Sequence, residues 1–151
     1  MDTMDDIIRN SLLLKQLDDE QFEHIKPRLK HISLGAGEVL YSEGSPADTI
    51  SIVLSGSLAA IKMSILGGSE TVLSEFGPSD VIGEMALLSD RNRSASIRAI
   101  ENSELAILPR AFYGSLERQR PDIALAIMKG VGRILAQRLQ DTSSELADER
   151  A

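Results

Sequence analysis

The sequence predicts a mainly β domain, a jelly roll or barrel, with helices at both ends. Between Leu34 and Pro109, short runs of Val, Ile and Leu alternate with glycines at positions 35, 37, 44, 56, 67 and 77, as in successive antiparallel strands and turns. Before and after that region, apolar residues recur at helical spacing. With 151 residues the chain is long enough for one domain with a real core.

At the N-terminus, Asp18 followed by Asp19, Glu20 and Gln21 has the form of a capping box, and Phe22, Ile25 and Leu29 then repeat at helical spacing. A short amphipathic helix is expected there, with the preceding SLLLKQL packed against the domain. Gly67 and Gly68, between AAIKMSIL and SETVLSEF, suit the positive φ angles of a tight hairpin turn. SASIRAI and SELAILP carry a last strand pair, so the stretch VIGEMALLSDRNRSASIRA, Val81 to Ala99, interrupts the sheet as an excursion between strands. The expected division is a helical segment at 1–33, a β region at 34–109 and C-terminal helices at 110–151.

After Pro109 the chain reads as helix through RAFYGSLERQ, stops near Pro121 and restarts. Ile123, Ile127, Val131 and Ile134 form a stripe suited to lie on the barrel. Met128, Gly132, Leu135, Leu139, Thr142 and Leu146 form a second, at alternating steps of four and three, the spacing of a coiled-coil seam. A homodimer through this helix is expected; the other reading packs the second stripe on its own domain. Gly130 and Gly132 suit a hinge in the helix.

The formal net charge of −7 repels a phosphate backbone, so no nucleic-acid partner is expected. The absence of cysteine excludes disulfides, thiolate nucleophiles and cysteine-held zinc. An acidic start and the lack of a long apolar run predict a cytoplasmic chain with no membrane span. His24 and His31 do not form an H-x-H metal pattern, and there is no phosphate loop of the G-x-x-x-x-G-K-[ST] form. No catalytic residue, metal or cofactor is expected, because no nucleophile and base stand together.

The informative stretch is VIGEMALLSDRNRSASIRA, Val81 to Ala99. The Arg93 guanidinium is charged at any cellular pH, and its planar fork matches phosphate oxygens. Backbone N–H groups at the start of Met85 to Leu88, if that segment turns helically, would face the same anion. Glu84 has no cationic neighbour in sequence and would be repelled by a phosphate, so it must face a hydrogen-bond donor such as a sugar hydroxyl. Gly83 lets a ligand approach the chain closely. An anion receptor at one end and a hydroxyl acceptor at the other describe a ribose phosphate.

On these residues the chain resembles the cyclic nucleotide-binding domains. IGEMALLSDRNRSASIRA is similar to the family's phosphate-binding cassette, here residues 82–96, with Glu84 and Arg93 separated as in the kinase regulatory-subunit version. GEVLYSEGSPADTISIVLSG is similar to its strand-and-glycine pattern at Gly37, Gly44, Asp48 and Gly56. The resemblance implies a β-roll of the double-stranded β-helix type with a cyclic nucleotide inside. It gives Arg93 and Ser94 to the cyclic phosphate, Glu84 to the ribose 2′-hydroxyl, Gly83, Met85 and Ala86 to backbone and wall contacts, and Ala95 to packing beside the phosphate. Arg91 falls out of register with the family's arginine and reads as a solvated neighbour. Asn92 stands where the kinase-type cassette has proline, and Ser79 where glycine is usual.

The tail RLQDTSSEL resembles the end of the dimerising helix of the bacterial cyclic AMP receptor protein, which implies base contacts from Thr142 and Ser143. Counted from PDI, the helix is about one turn longer here, roughly 5 Å, and the other reading of the pair is solvated hydroxyls at a helix end. Ser94 favours cyclic AMP over cyclic GMP, whose readers in the family often have threonine there. Related transcription factors continue into a helix-turn-helix, whereas this sequence runs to Ala151 through an acidic tail. The expected function is a free-standing cyclic nucleotide sensor that transmits occupancy through its C-terminal helices to a downstream protein. The alternative is a ligand-independent dimeric interaction module.

Overall fold

The computed structural model describes residues 3–150. Two short helices come first, α1 (Met4–Asn10) and α2 (Asp19–Ile25), the latter continued by a 3-10 turn at Lys26–Arg28. Both are closed by capping boxes, Thr3 with Asp6 and Asp18 with Gln21. The Asp18 box is the one its residues predict, and the Thr3 box is a second that the structure adds. Leu13, Leu14 and Leu17 of the intervening turn are buried, as SLLLKQL leads one to expect.

Eight strands follow: β1 (Lys30–Leu34), β2 (Val39–Tyr41), β3 (Thr49–Ser55), β4 (Leu58–Met63), β5 (Glu70–Phe76), β6 (Val81–Ile82), β7 (Ser96–Ala99) and β8 (Ser103–Pro109). They form two four-stranded antiparallel sheets, in the orders β1-β8-β3-β6 and β2-β7-β4-β5. The architecture is the mainly β jelly roll that the strand pattern predicts. β1 starts at Lys30, so a boundary between residues 33 and 34 cuts through a strand, and His31 lies on it beside Glu104. β7 and β8 do not pair with each other; they enter opposite sheets, β7 beside β2 and β4, β8 beside β1 and β3.

The first sheet is covered on both faces, which is why its central strands carry long apolar runs. Ile50, Ile52 and Leu54 of β3, with Ala106 and Leu108 of β8, face the helices, while Val53, Leu105 and Ile107 face the interior of the roll. The second sheet lacks an outer layer. Its edge strand β5 is exposed along nearly its whole length. At the β4–β5 turn only Gly67 has positive φ, 65°, and the turn is closed by Ser64 N–H to Ser69 O at 3.0 Å. The connection is therefore longer than the two-residue glycine turn expected from the sequence.

α3 (Arg110–Gln119) and α4 (Pro121–Arg150) complete the chain. Ile123, Ile127, Val131 and Ile134 are all buried on the helix-facing side of the first sheet. Of the second stripe, Met128 and Leu135 are half-buried, and Gly132, Leu139, Thr142 and Leu146 are exposed. Gly130 is not hinge-like. A Cβ there would lie 2.3 Å from the Leu13 carbonyl oxygen and 2.7 Å from that of Leu12, so α4 packs directly on the N-terminal backbone. Gln16 secures the contact by donating to the Leu12, Leu13 and Ala126 carbonyls and accepting from Arg133. Arg120, paired with Glu20 and Asp122, ties the start of α4 to α2. Among the described residues no helix is long and apolar enough to cross a membrane.

Candidate functional site

β6 delivers the chain to Gly83, whose φ of 81° turns it into a 3-10 turn at Glu84–Leu87. A side chain at Gly83 would strain the backbone and would also place its Cβ 2.6 Å from Nη1 of Arg93. Glycine here serves the approach of the arginine as well as the turn. The returning arm is pinned to the β2–β3 loop by two backbone bonds of 2.8 Å, Arg93 N–H to Ser45 O and Gly44 N–H to Arg93 O. Glu84 and Arg93 are thus held on the two arms of one loop.

Arg93 is only 7 % exposed. Its Nη2 donates to the Thr49 carbonyl at 2.8 Å and to Thr49 Oγ1 at 3.1 Å, and its Cζ lies 3.9 Å from the centroid of the Tyr41 ring. Its buried Nε has no acceptor, and no ion pair reaches it among the described residues. Glu84, at 1 % exposure, accepts through Oε1 from Arg138 of α4, while its Oε2 is buried without a partner. Arg138 also donates to the Val81 carbonyl at 2.9 Å. A buried donor or acceptor left unmet costs on the order of 1–3 kcal/mol, and more when it belongs to a charged group. Both residues line one cavity of about 440 Å³, within the usual range for small-ligand sites.

Gly83, Glu84, Met85, Ala86, Arg93, Ser94 and Ala95 all line that cavity. The N–H of Ala86 is engaged by the Gly83 carbonyl at 3.1 Å, so it does not take the anion-binding part that the sequence allows it. Arg91 is exposed at the cavity wall. Burial pushes the Tyr41 phenol above its ordinary range, opposed by the Arg93 cation and reinforced by the Glu84 carboxylate. Thr142 lines a neighbouring groove of about 690 Å³, which meets the cavity at Leu73, Ser74, Phe76 and Arg138; Ser143 lines neither.

Three participants were not legible beforehand. Tyr41 and Thr49 reach Arg93 from β2 and β3, and Arg138 reaches Glu84 across 54 residues of sequence. Only the positive charge of Arg138, in the quoted tail, was a signal. Ser79 adopts a φ of 73°, which accounts for the glycine usual at that position. Among the described residues no cluster of His, Asp and Glu is arranged to hold a metal ion.

Over residues 31–119 the chain matches the family model described as cyclic nucleotide-binding domain. It is 35 % identical over 129 residues to lysophospholipase NTE1 of Phaeosphaeria nodorum, a match covering 85 % of this chain and 8 % of that protein. The chain thus spans less than a tenth of the length of the curated relatives it matches. Among solved structures it resembles the N-terminal domain of a transcriptional regulator from Streptomyces coelicolor, with a TM-score of 0.77, 30 % identity and coverage of 88 % of this chain and 94 % of that one. It also resembles the regulatory domain of Toxoplasma gondii PKA co-crystallised with cAMP, with a TM-score of 0.67, 28 % identity and coverage of 74 % and 42 %. With the family model matching more than half its length, and its loop presenting a buried arginine and glutamate to one cavity, the chain belongs to the cyclic nucleotide-binding domain family.

Proposed function

We propose that this domain is a cyclic nucleotide sensor, with cyclic AMP preferred over cyclic GMP, and that it reports occupancy through α4 to a partner protein. The observation that carries this is the pair of unmet buried groups, Arg93 Nε and Glu84 Oε2, on opposite arms of one loop around one cavity. A cyclic phosphate accepts from Arg93 and Ser94, with Ala95 beside it. The ribose 2′-hydroxyl donates to the free oxygen of Glu84, and Gly83, Met85 and Ala86 form the wall.

Arg138 gives this arrangement an output. It holds one oxygen of Glu84 while the ligand takes the other, so a change at the ribose is felt on α4. The base extends toward the groove where Thr142 lies, Ser143 following from the resemblance alone. Ligand drives the change only to the extent that it binds the two positions of α4 with different affinity. The exposed seam through Leu139 and Leu146 supports a homodimer along α4. The domain acts as a cytoplasmic regulatory unit, with no nucleic acid bound and no catalysis.

Calorimetric titration with cyclic AMP and cyclic GMP, using protein stripped of nucleotide, tests the proposal. Micromolar or tighter binding, about 8 kcal/mol at 1 μM, that Arg93→Ala abolishes is the expected result. No heat from folded protein with either nucleotide would favour a ligand-independent interaction module. Sedimentation of the wild type against Leu139→Glu tests the dimer, which the acidic residue should dissociate.

A further inference from the structure

A buried guanidinium is normally neutralised by a carboxylate, because an unpaired buried charge is costly. Arg93 has no such partner among the described residues. Its contacts are the neutral Thr49 carbonyl and hydroxyl and the face of Tyr41, 3.9 Å from Cζ, well inside the range of a cation–π contact. A carboxylate in that place would cancel the positive charge and compete with any anion. An aromatic face stabilises the cation and leaves its full charge in force.

We propose that Tyr41 is a positioning residue for anion binding: its ring substitutes for a counter-ion, keeping the Arg93 guanidinium buried and oriented with Nε and Nη1 unpaired. The geometry restricts the fork on three sides. Thr49 fixes Nη2, the backbone at Gly83 leaves space for Nη1, and the ring lies against the flat face of the guanidinium. Of the remaining donors, Nε is buried without a partner, and Nη1 makes no hydrogen bond among the described residues. Tyr41 also lines the cavity, so it shapes the wall against which the phosphate sits. The ring face, rather than the hydroxyl, performs the task.

The inference rests on the nucleotide-sensor reading, and its test separates the two. The 151-residue wild type, Tyr41→Phe and Tyr41→Met are compared, methionine supplying volume without an aromatic face. The first readout needs no nucleotide: the NMR resonance of the Arg93 Nε–H group, assigned by its loss in Arg93→Lys. It should be displaced upfield by the ring in the wild type and Tyr41→Phe and return downfield in Tyr41→Met. The second is cyclic AMP affinity, expected to be within about twofold of wild type for Tyr41→Phe and about tenfold weaker for Tyr41→Met. Should Tyr41→Met fail to fold by circular dichroism, Tyr41→Leu takes its place.

An unmoved Nε resonance overturns the inference. So does wild-type affinity in the variant lacking the ring, even though the sensor reading survives. If the resonance moves as expected but no variant binds cyclic AMP or cyclic GMP, the ring's hold on Arg93 is supported and the sensor reading falls instead.

Discussion

Replacing Gly130 and Gly132 separately with alanine should have opposite effects, although the two lie one residue apart on α4. Alanine gains about 1 kcal/mol over glycine in a helix interior. At Gly132 nothing lies within 4 Å of the added Cβ, so the gain is kept in full. At Gly130 the Cβ would sit 2.3 Å from the Leu13 oxygen, 2.7 Å from the Leu12 oxygen and 2.5 Å from Gln16 Nε2, where ordinary contact starts at 3.4 Å. The helix must therefore retreat by roughly 1 Å from a backbone that cannot swing aside, which strains the packing of Ile127, Val131 and Ile134. Overpacking of this kind costs about 1–3 kcal/mol, and contact with two carbonyls puts this case at the upper end. The expected net loss is about 2 kcal/mol, or roughly 4–8 °C in melting temperature, against a gain of roughly 2–4 °C for Gly132→Ala. Both are measured by urea denaturation and thermal melting in the Leu139→Glu background, so that dimerisation does not enter. Equal or greater stability for Gly130→Ala would refute the packing argument.

Ser79→Gly should raise stability by about 0.5–1 kcal/mol, because Ser79 holds a φ of 73° that glycine adopts without strain; urea denaturation decides it. Asp122 is held well below the usual carboxylate range by Arg120 and then by Gln21. A carboxyl with lowered pKa contributes stability that is present above its unfolded value and lost as pH falls toward its folded one. Asp122→Asn should therefore flatten the decline of melting temperature below about pH 4, and an unchanged acid limb would contradict this. Arg138→Ala should remove the cation that pairs with Glu84 and lower cyclic AMP affinity, while hydrogen exchange quickens at residues 135–148. Unaltered exchange would remove Arg138 as the link between cavity and helix.

The sequence made the fold legible wherever local pattern and long-range burial agree. The apolar runs of β3 and β8 and the stripe from Ile123 to Ile134 are buried as their spacing requires. The cassette residues from Gly83 to Ala95 were legible as a group because a single loop carries them to a single cavity. Tyr41, Thr49 and Arg138 escaped notice because their contacts depend on sheet order and on the register of α4, which no local spacing encodes. Gly130 was misread for a related reason: a glycine that admits another backbone looks in sequence like one that permits a bend. The α1 capping box was present as Thr3 and Asp6, but it closes on aspartate rather than the glutamate or glutamine of the usual pattern.

The most direct test of the central claim is parallel titration of the wild type with cyclic AMP and 2′-deoxy cyclic AMP, repeated in Glu84→Gln. If the free oxygen of Glu84 accepts the ribose hydroxyl while Arg93 holds the phosphate, cyclic AMP binds at micromolar concentration or tighter. The deoxy form should then bind about tenfold more weakly, in keeping with about 1.5 kcal/mol for a hydrogen bond to a charged group, and Glu84→Gln should largely erase that difference. Equal affinities for the two nucleotides in the wild type, or no binding of either, would contradict the account.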